Sequence, residues 1–210
     1  MENGVTCFGS FVLKVNPDYA SLTFESISID KKTKNAFSKT KEKSRSLNKT
    51  LRSWKDIECR SSNLRLEEVR EHVSGGWKKL GYKASIKTHV VVRDLNMVED
   101  ILTTAVEAGA DSINSFSFGT SKLKEHRSEA RRNSVKAAIE KAENYCIAAG
   151  VKLGKVVRIK DINPDRLTPY LESHVEDNTE SELSENASAI DPGAISVNGA
   201  VEVTFEIRND

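Results

Sequence analysis

The side chains best suited to catalysis or metal binding lie far apart in this 210-residue chain. His72, His89, His126 and His174 fall into no HxH, HxxxH or HExxH spacing, the patterns that bring two imidazoles to one metal. Cys7, Cys59 and Cys146 are odd in number and widely spaced. That argues against a disulfide framework or a zinc site, and for reduced core or edge thiols. The sequence holds no GxSxG elbow and no GxxxxGK[ST] phosphate cradle, and Ser74-Gly75-Gly76 reads as a turn. Glu125 and Glu129 stand one helical turn apart, as a carboxylate pair would. Lys124, Arg131 and Arg132 surround them, so surface ion pairing is their expected role. These residues predict no catalytic site, no metal and no cofactor.

Charge is organised where chemistry is not. Between Lys31 and Lys55 stand ten Lys or Arg and one acid, Glu42. At about 100° per residue, Lys34, Lys41, Arg45, Lys49 and Arg52 fall on one flank of a helix. Such a stripe can attract phosphates, anionic lipid or an acidic protein surface. The simpler reading is a solvated face. Nucleic acid is disfavoured, because no aromatics interleave with the charges. Residues 172–191 are the counterpart, with seven acids and no Lys or Arg, and they read as a flexible loop. That loop is one acidic surface the basic helix could meet.

The elements that would carry these residues follow from periodicity. Residues 5–15 and 19–29 read as strands joined by a turn at Asn16-Pro17-Asp18. In the second, Ala20, Leu22 and Phe24 share a face, then Ile27 and Ile29 take the opposite parity. A bulge near Glu25-Ser26, or burial on both faces, would reconcile them. Phe37, Thr40, Ser44, Leu47, Leu51 and Trp54 mark the buried stripe of a helix over 34–55. Residues 56–70 look extended, and Ala84, Ile86, Thr88, Val90 and Val92 alternate as a half-buried strand. A second helix spans about 97–108, with Asn96 and Glu99 as a capping box and Gly109 as its stop. Residues 112–118 form a strand. A third helix covers 121–149 with a stripe of Val135, Ala138, Ile139, Ala142, Tyr145, Cys146 and Ala149, whose alanines suggest close packing. A short strand follows at 156–161. Ile195 to Ile207 then alternate over a long final strand. The class is α+β, a mainly antiparallel sheet with three helices on one face, in one domain over 1–210 or two intimate lobes.

Several segments together resemble the SIMPL-domain family. They are Gly81-Tyr82-Lys83-Ala84-Ser85, then Val90-Val91-Val92-Arg93-Asp94-Leu95, then Glu107-Ala108-Gly109-Ala110-Asp111-Ser112-Ile113-Asn114-Ser115-Phe116-Ser117-Phe118-Gly119. The match continues through Glu129-Ala130-Arg131, Ala148 to Val156 and Val201 to Glu206. Gly9 and Pro17-Asp18-Tyr19-Ala20 fit the family's opening hairpin. The resemblance implies the family's α+β fold and large ring-like or channel-like homo-oligomers. It also implies a structural or adaptor role with loose links to stress defence or signalling. Gly81, Tyr82, Asp94, Gly109, Asn114, Phe116 and Gly119 are the motif positions expected to fix the fold, with Gly109 and Gly119 meeting backbone needs.

Val201, Val203, Phe205 and Ile207 have two readings. They are an assembly edge open to another chain, or they pair with the first strand inside the monomer. The N-terminus shows no basic-then-apolar leader, and no apolar run nears the roughly 18 residues of a membrane span. The cytosol is therefore expected. A chain trimmed of its leader would read the same and would be periplasmic.

Overall fold

The computed structural model describes residues 4–73, 76–163 and 193–208. Seven strands and three helices are found among them: β1 (Gly4–Val15), β2 (Tyr19–Asp30), α1 (Thr33–Leu51), β3 (Ile57–Val73), β4 (Gly76–Val92), α2 (Val98–Glu107), β5 (Ser112–Gly119), α3 (Leu123–Ala149), β6 (Lys152–Asp161) and β7 (Ile195–Arg208). All strand pairings are antiparallel, in two open sheets ordered β1-β7-β6 and β3-β4-β2-β5. The α+β class holds, with two sheets in place of one. The chain divides into two compact units. Of the described residues, one unit holds 4–16, 122–163 and 193–208, and the other 17–73 and 76–121. The acidic stretch 172–191 lies outside the described residues.

In the four-stranded unit, α1 and α2 cover one sheet face. Leu47 and Leu51 of α1 and Val98, Ile101 and Ala105 of α2 join Ala20, Leu22, Phe24, Val90 and Val92 in one core. Fully burying one such aliphatic side chain contributes about 1.5–3 kcal/mol. Trp54 packs on this core from the turn beyond α1. In the three-stranded unit, α3 lies on β1 and β7. Its buried line is Ala130, Ser134, Ala138, Ala142 and Cys146, a strict four-residue rhythm of small side chains. A methyl group added at Gly199 would sit 2.6 Å from the Ala130 carbonyl carbon, and one at Gly9 would sit 2.7 Å from the Ala138 nitrogen. The close packing expected of the alanines is present. Tyr145 and Ala149, expected on the stripe, face outward, because helix geometry carries the line through 142 and 146 instead.

Four expectations are corrected. First, β1 and β2 form no hairpin. β1 pairs with β7, from Gly4 opposite Glu206 to Val15 opposite Ile195, and β2 pairs with β4 and β5. Each strand's apolar parity is satisfied by a different sheet. Second, of the two readings of Val201, Val203, Phe205 and Ile207, the assembly edge gives way to the other, pairing with the first strand inside the monomer, since β7 is the middle strand between β1 and β6. The first three are buried under α3 and Ile207 is half-buried. Third, β2 runs through Glu25-Ser26 without a bulge against β4. Ser26 and Ser28 take the inward positions, and Ile29 is exposed. The irregularity sits in β5, where Thr23 faces Ser115 and Phe24 faces Ile113, skipping Asn114. Fourth, Asn96 does not cap α2. The Asp94 carboxylate accepts from the Asn96 backbone N–H at 3.1 Å and starts a 3-10 turn over Leu95–Met97 that leads into the helix.

Candidate interaction surfaces

The seven motif positions do not converge on one point. Gly81 (φ +155°) lets β4 pass the Asp30 carbonyl, where a methyl would come within 2.6 Å. Beside it, the Lys79 ammonium donates to the Tyr82 phenol oxygen at 2.7 Å and lies 4.2 Å from the ring centre. That hydrogen bond holds the Tyr82 hydroxyl below its usual pKa, while Glu68, 2.7 Å away, raises that of Lys79. Gly109 (φ +111°) ends α2 in a conformation that favours glycine. Gly119 serves space rather than φ, because a methyl there would overlap the Tyr19 ring. Asn114, skipped by the register, donates to Glu25 at 2.9 Å. Phe116 stands edge-on to Phe118 with ring centres 4.9 Å apart.

Lys34, Lys41, Arg45, Lys49 and Arg52 are all exposed on α1 and enter no ion pair among the described residues. Their helical neighbours do. Lys39 pairs with Asp30 at 2.8 Å, and Lys43 pairs with Asp111 at 2.6 Å while donating to the Ile27 carbonyl. The solvent flank is thus a run of cations without ion pairs among the described residues, and the inner flank ties the helix to β2 and to Asp111, just before β5. Lys39, Lys43, Glu42, Asp111 and Ile29 border an open groove of about 660 Å³.

A polar line crosses the face of the four-stranded sheet opposite α1 and α2. The Ser115 hydroxyl donates to the Thr23 oxygen at 2.8 Å, and Thr23 Oγ1 lies 2.9 Å from His89 Nδ1. These hydrogen bonds order the sheet face. Glu125 and Glu129 form no ion pair among the described residues, in place of the expected surface pairs. Glu125 borders a shallow depression with Lys124, Ser128 and Arg132. Cys7 and Cys146 are buried thiols, and burial pushes Cys7 up in pKa. Among the described residues, no three His, Cys, Asp or Glu side chains gather as metal ligands.

The surface that sequence reasoning missed is the far part of the β3–β4 hairpin. Both strands are 17 residues long. Leu64 (54% exposed), Leu66 (45%), Trp77 (69%) and Leu80 (45%) are left in water there. Leu64 lies opposite Ile86 and Leu66 opposite Ala84, so both continue the helix-side face past the cover α1 provides. β3 is also an edge strand, with one side unpaired among the described residues. The available signal was four large apolar residues in a stretch that shows no clean alternation.

An α+β protein of two open antiparallel sheets, each with a helical face and no enclosed reaction centre described, is the class these features define. The chain belongs to the SIMPL family, described as a protein of unknown function (DUF541), whose model matches residues 5–205. It is 25% identical over 158 residues to the uncharacterized protein YggE of Escherichia coli strain K12, covering 73% of this chain and 61% of that one. It is 30% identical over 101 residues to YggE of Edwardsiella ictaluri, covering 48% and 42%. A 26 kDa periplasmic immunogenic protein of Brucella melitensis is 32% identical over 129 residues, covering 61% and 51%. The matched regions thus span less than two thirds of these relatives' lengths. None of the three names denotes an enzyme. The cytosolic expectation gains no support from them, since the Brucella protein is named periplasmic. Among the described residues, no helix is long and apolar enough to cross a membrane.

Proposed function

We propose that this chain is a non-enzymatic protein that works by assembling with copies of itself, in a structural or adaptor role. The observation that carries this reading is the β3–β4 arm, where four large apolar side chains stand in water beside a strand edge unpaired among the described residues. Unpaired edges and exposed apolar patches invite another chain. The charges on the edge favour a second copy as that chain. An antiparallel pairing of two β3 strands centred on Leu66 sets each Arg65 opposite a Glu67 of the copy, with the two Leu66 side chains meeting at the centre. Any part in stress defence or signalling would then be played through contacts of the assembled protein.

Light scattering after size exclusion tests this at low and high salt. A mass of several subunits that survives high salt, and falls for Leu66→Asp, is the expected result. A discrete monomer at both salts overturns the proposal. In that case the five cations of α1 without ion pairs among the described residues support a second reading, a surface for nucleic acid or anionic membrane. Its mark would be heparin binding that weakens steeply with salt and is lost when Lys41, Arg45, Lys49 and Arg52 are reversed.

A further inference from the structure

In the four-stranded unit, one edge of β2 is left open over its last residues. β4 pairs with β2 from Ala20 to Asp30, but β5 pairs with it only from Tyr19 to Glu25. Among the described residues, no strand continues the line of β5 alongside Ser26 to Asp30. Side chains stand in for that strand at one position. Asp111 Oδ2 accepts from the Ile27 backbone N–H at 2.6 Å. The Lys43 ammonium donates to the Ile27 carbonyl at 2.9 Å and to Asp111 Oδ1 at 2.6 Å. Residues two apart on a strand direct their backbone groups to the same side, so the N–H and C=O of Ile29 face this open edge as well. The groove of about 660 Å³ lies there, with Ile27, Ser28 and Ile29 as its floor, Lys39, Glu42 and Lys43 of α1 as its wall and Asp111 at its end. That volume falls within the roughly 300–1,000 Å³ of ligand pockets. The Ile29 side chain beside it is 57% exposed.

We infer that this groove binds the free C-terminal end of an extended peptide, added antiparallel to β2. An open strand edge offers a donor and an acceptor at strand spacing, and the backbone of a second strand matches both at once. The peptide residue facing Ile29 exchanges both hydrogen bonds with it. Its side chain lies beside that of Ile29, so an apolar residue is favoured there. The next residue faces Ser28, and there the line is blocked. The Lys43 ammonium and the Asp111 carboxylate occupy the place of a residue facing Ile27. An antiparallel peptide meets this block with its C-terminus. An ammonium has three donors, and Ile27 and Asp111 take two of those on Lys43, which leaves one for the terminal carboxylate. The ten Lys and Arg between Lys31 and Lys55, against the single acid Glu42, add a field that draws an anion to this helix.

Fluorescence polarisation on the whole chain tests this with a labelled peptide that ends in valine then alanine and carries a free carboxylate. Three unlabelled relatives compete with it: the C-terminal amide, and the free acids N-methylated at the valine or at the alanine. The amide should bind about tenfold more weakly than the acid, through loss of a charge-assisted hydrogen bond. Methylation at the valine removes the N–H aimed at the Ile29 carbonyl and should also cost about tenfold or more. The alanine N–H points away from β2, so methylation there should cost at most about twofold. These comparisons leave the protein unaltered, so its folding does not enter them. Among protein variants, Ile29→Thr should weaken the acid about fourfold by trimming the apolar contact. Lys43→Met should bring the acid to the level of the amide. Glu42→Gln should tighten binding about twofold by removing the acid from the wall. Several results overturn the inference: no binding at millimolar peptide, an amide equal to the acid, equal losses from the two N-methyl groups, or an affinity indifferent to both Ile29→Thr and Lys43→Met.

Discussion

The two units solve one packing problem in opposite ways. In the four-stranded unit, α1 meets its sheet through the small Ala36, Thr40 and Ser44 over its first half and through the large Leu47 and Leu51, beside Phe24 and Leu22, over its last turns, where the contrast lies. In the three-stranded unit, α3 meets its sheet through Ala130, Ser134, Ala138, Ala142 and Cys146, over strands that carry glycine at 9 and 199. Large side chains hold a helix away from the sheet and remove much apolar area from water. Small ones bring the two backbones together, and the gain is close contact along their length. Both are helix-on-sheet layers, but they should fail under opposite substitutions.

The largest effect belongs to the unit of large side chains. Leu47 is fully buried, so Leu47→Ala removes transfer energy and leaves a cavity. The expected loss is about 2–5 kcal/mol, read as a fall in the urea midpoint with an unchanged slope. The reverse change should harm the other unit. Ala138→Leu puts three carbons where the Cβ of Ala138 already lies within van der Waals reach of Gly9, at an expected cost of about 1–3 kcal/mol. If Ala138→Leu melts with the wild type, α3 can lift from β1 and β7 without loss, and the contrast between the units is wrong.

How much of this was legible in sequence depends on the range of the cause. The α1 stripe through Thr40, Ser44, Leu47 and Leu51 was readable, because helical period and burial agree there. The stop at Gly109 was readable too, because a positive φ has a local signature. Pairing partners were not. A turn at Asn16-Pro17-Asp18 looks the same whether its strands pair with each other or, as here, with β7 on one side and β4 and β5 on the other. Gly119 shows the same limit, since its need comes from the Tyr19 ring, 100 residues away in sequence. The basic flank of α1 was visible as spacing. The groove beside Ile29 was not, because it joins β2, α1 and Asp111.

A smaller prediction separates the units by how their long helices begin. Neither α1 nor α3 has a cap hydrogen bond from its own N-cap side chain. At α1 a carboxylate from the preceding strand stands in. Asp30 accepts from the Lys32 backbone N–H at 3.0 Å, from Asn35 at 3.2 Å and from the Lys39 ammonium at 2.8 Å. The Lys39 hydrogen bond above all lowers its pKa from 3.8 to about 2. The folded state therefore holds the proton less tightly than the unfolded chain does. The resulting stability is present in full above the unfolded pKa and is lost as pH falls from about 4 towards 2. The site is exposed and salt-screened, so the effect should be the smallest of the three. Thermal midpoints of wild type and Asp30→Asn, compared from pH 6 to pH 2, should differ at the upper end and converge at the lower. A gap that persists unchanged at pH 2 would assign the role of Asp30 to shape rather than charge, and the acid sensitivity predicted for α1 would disappear with it.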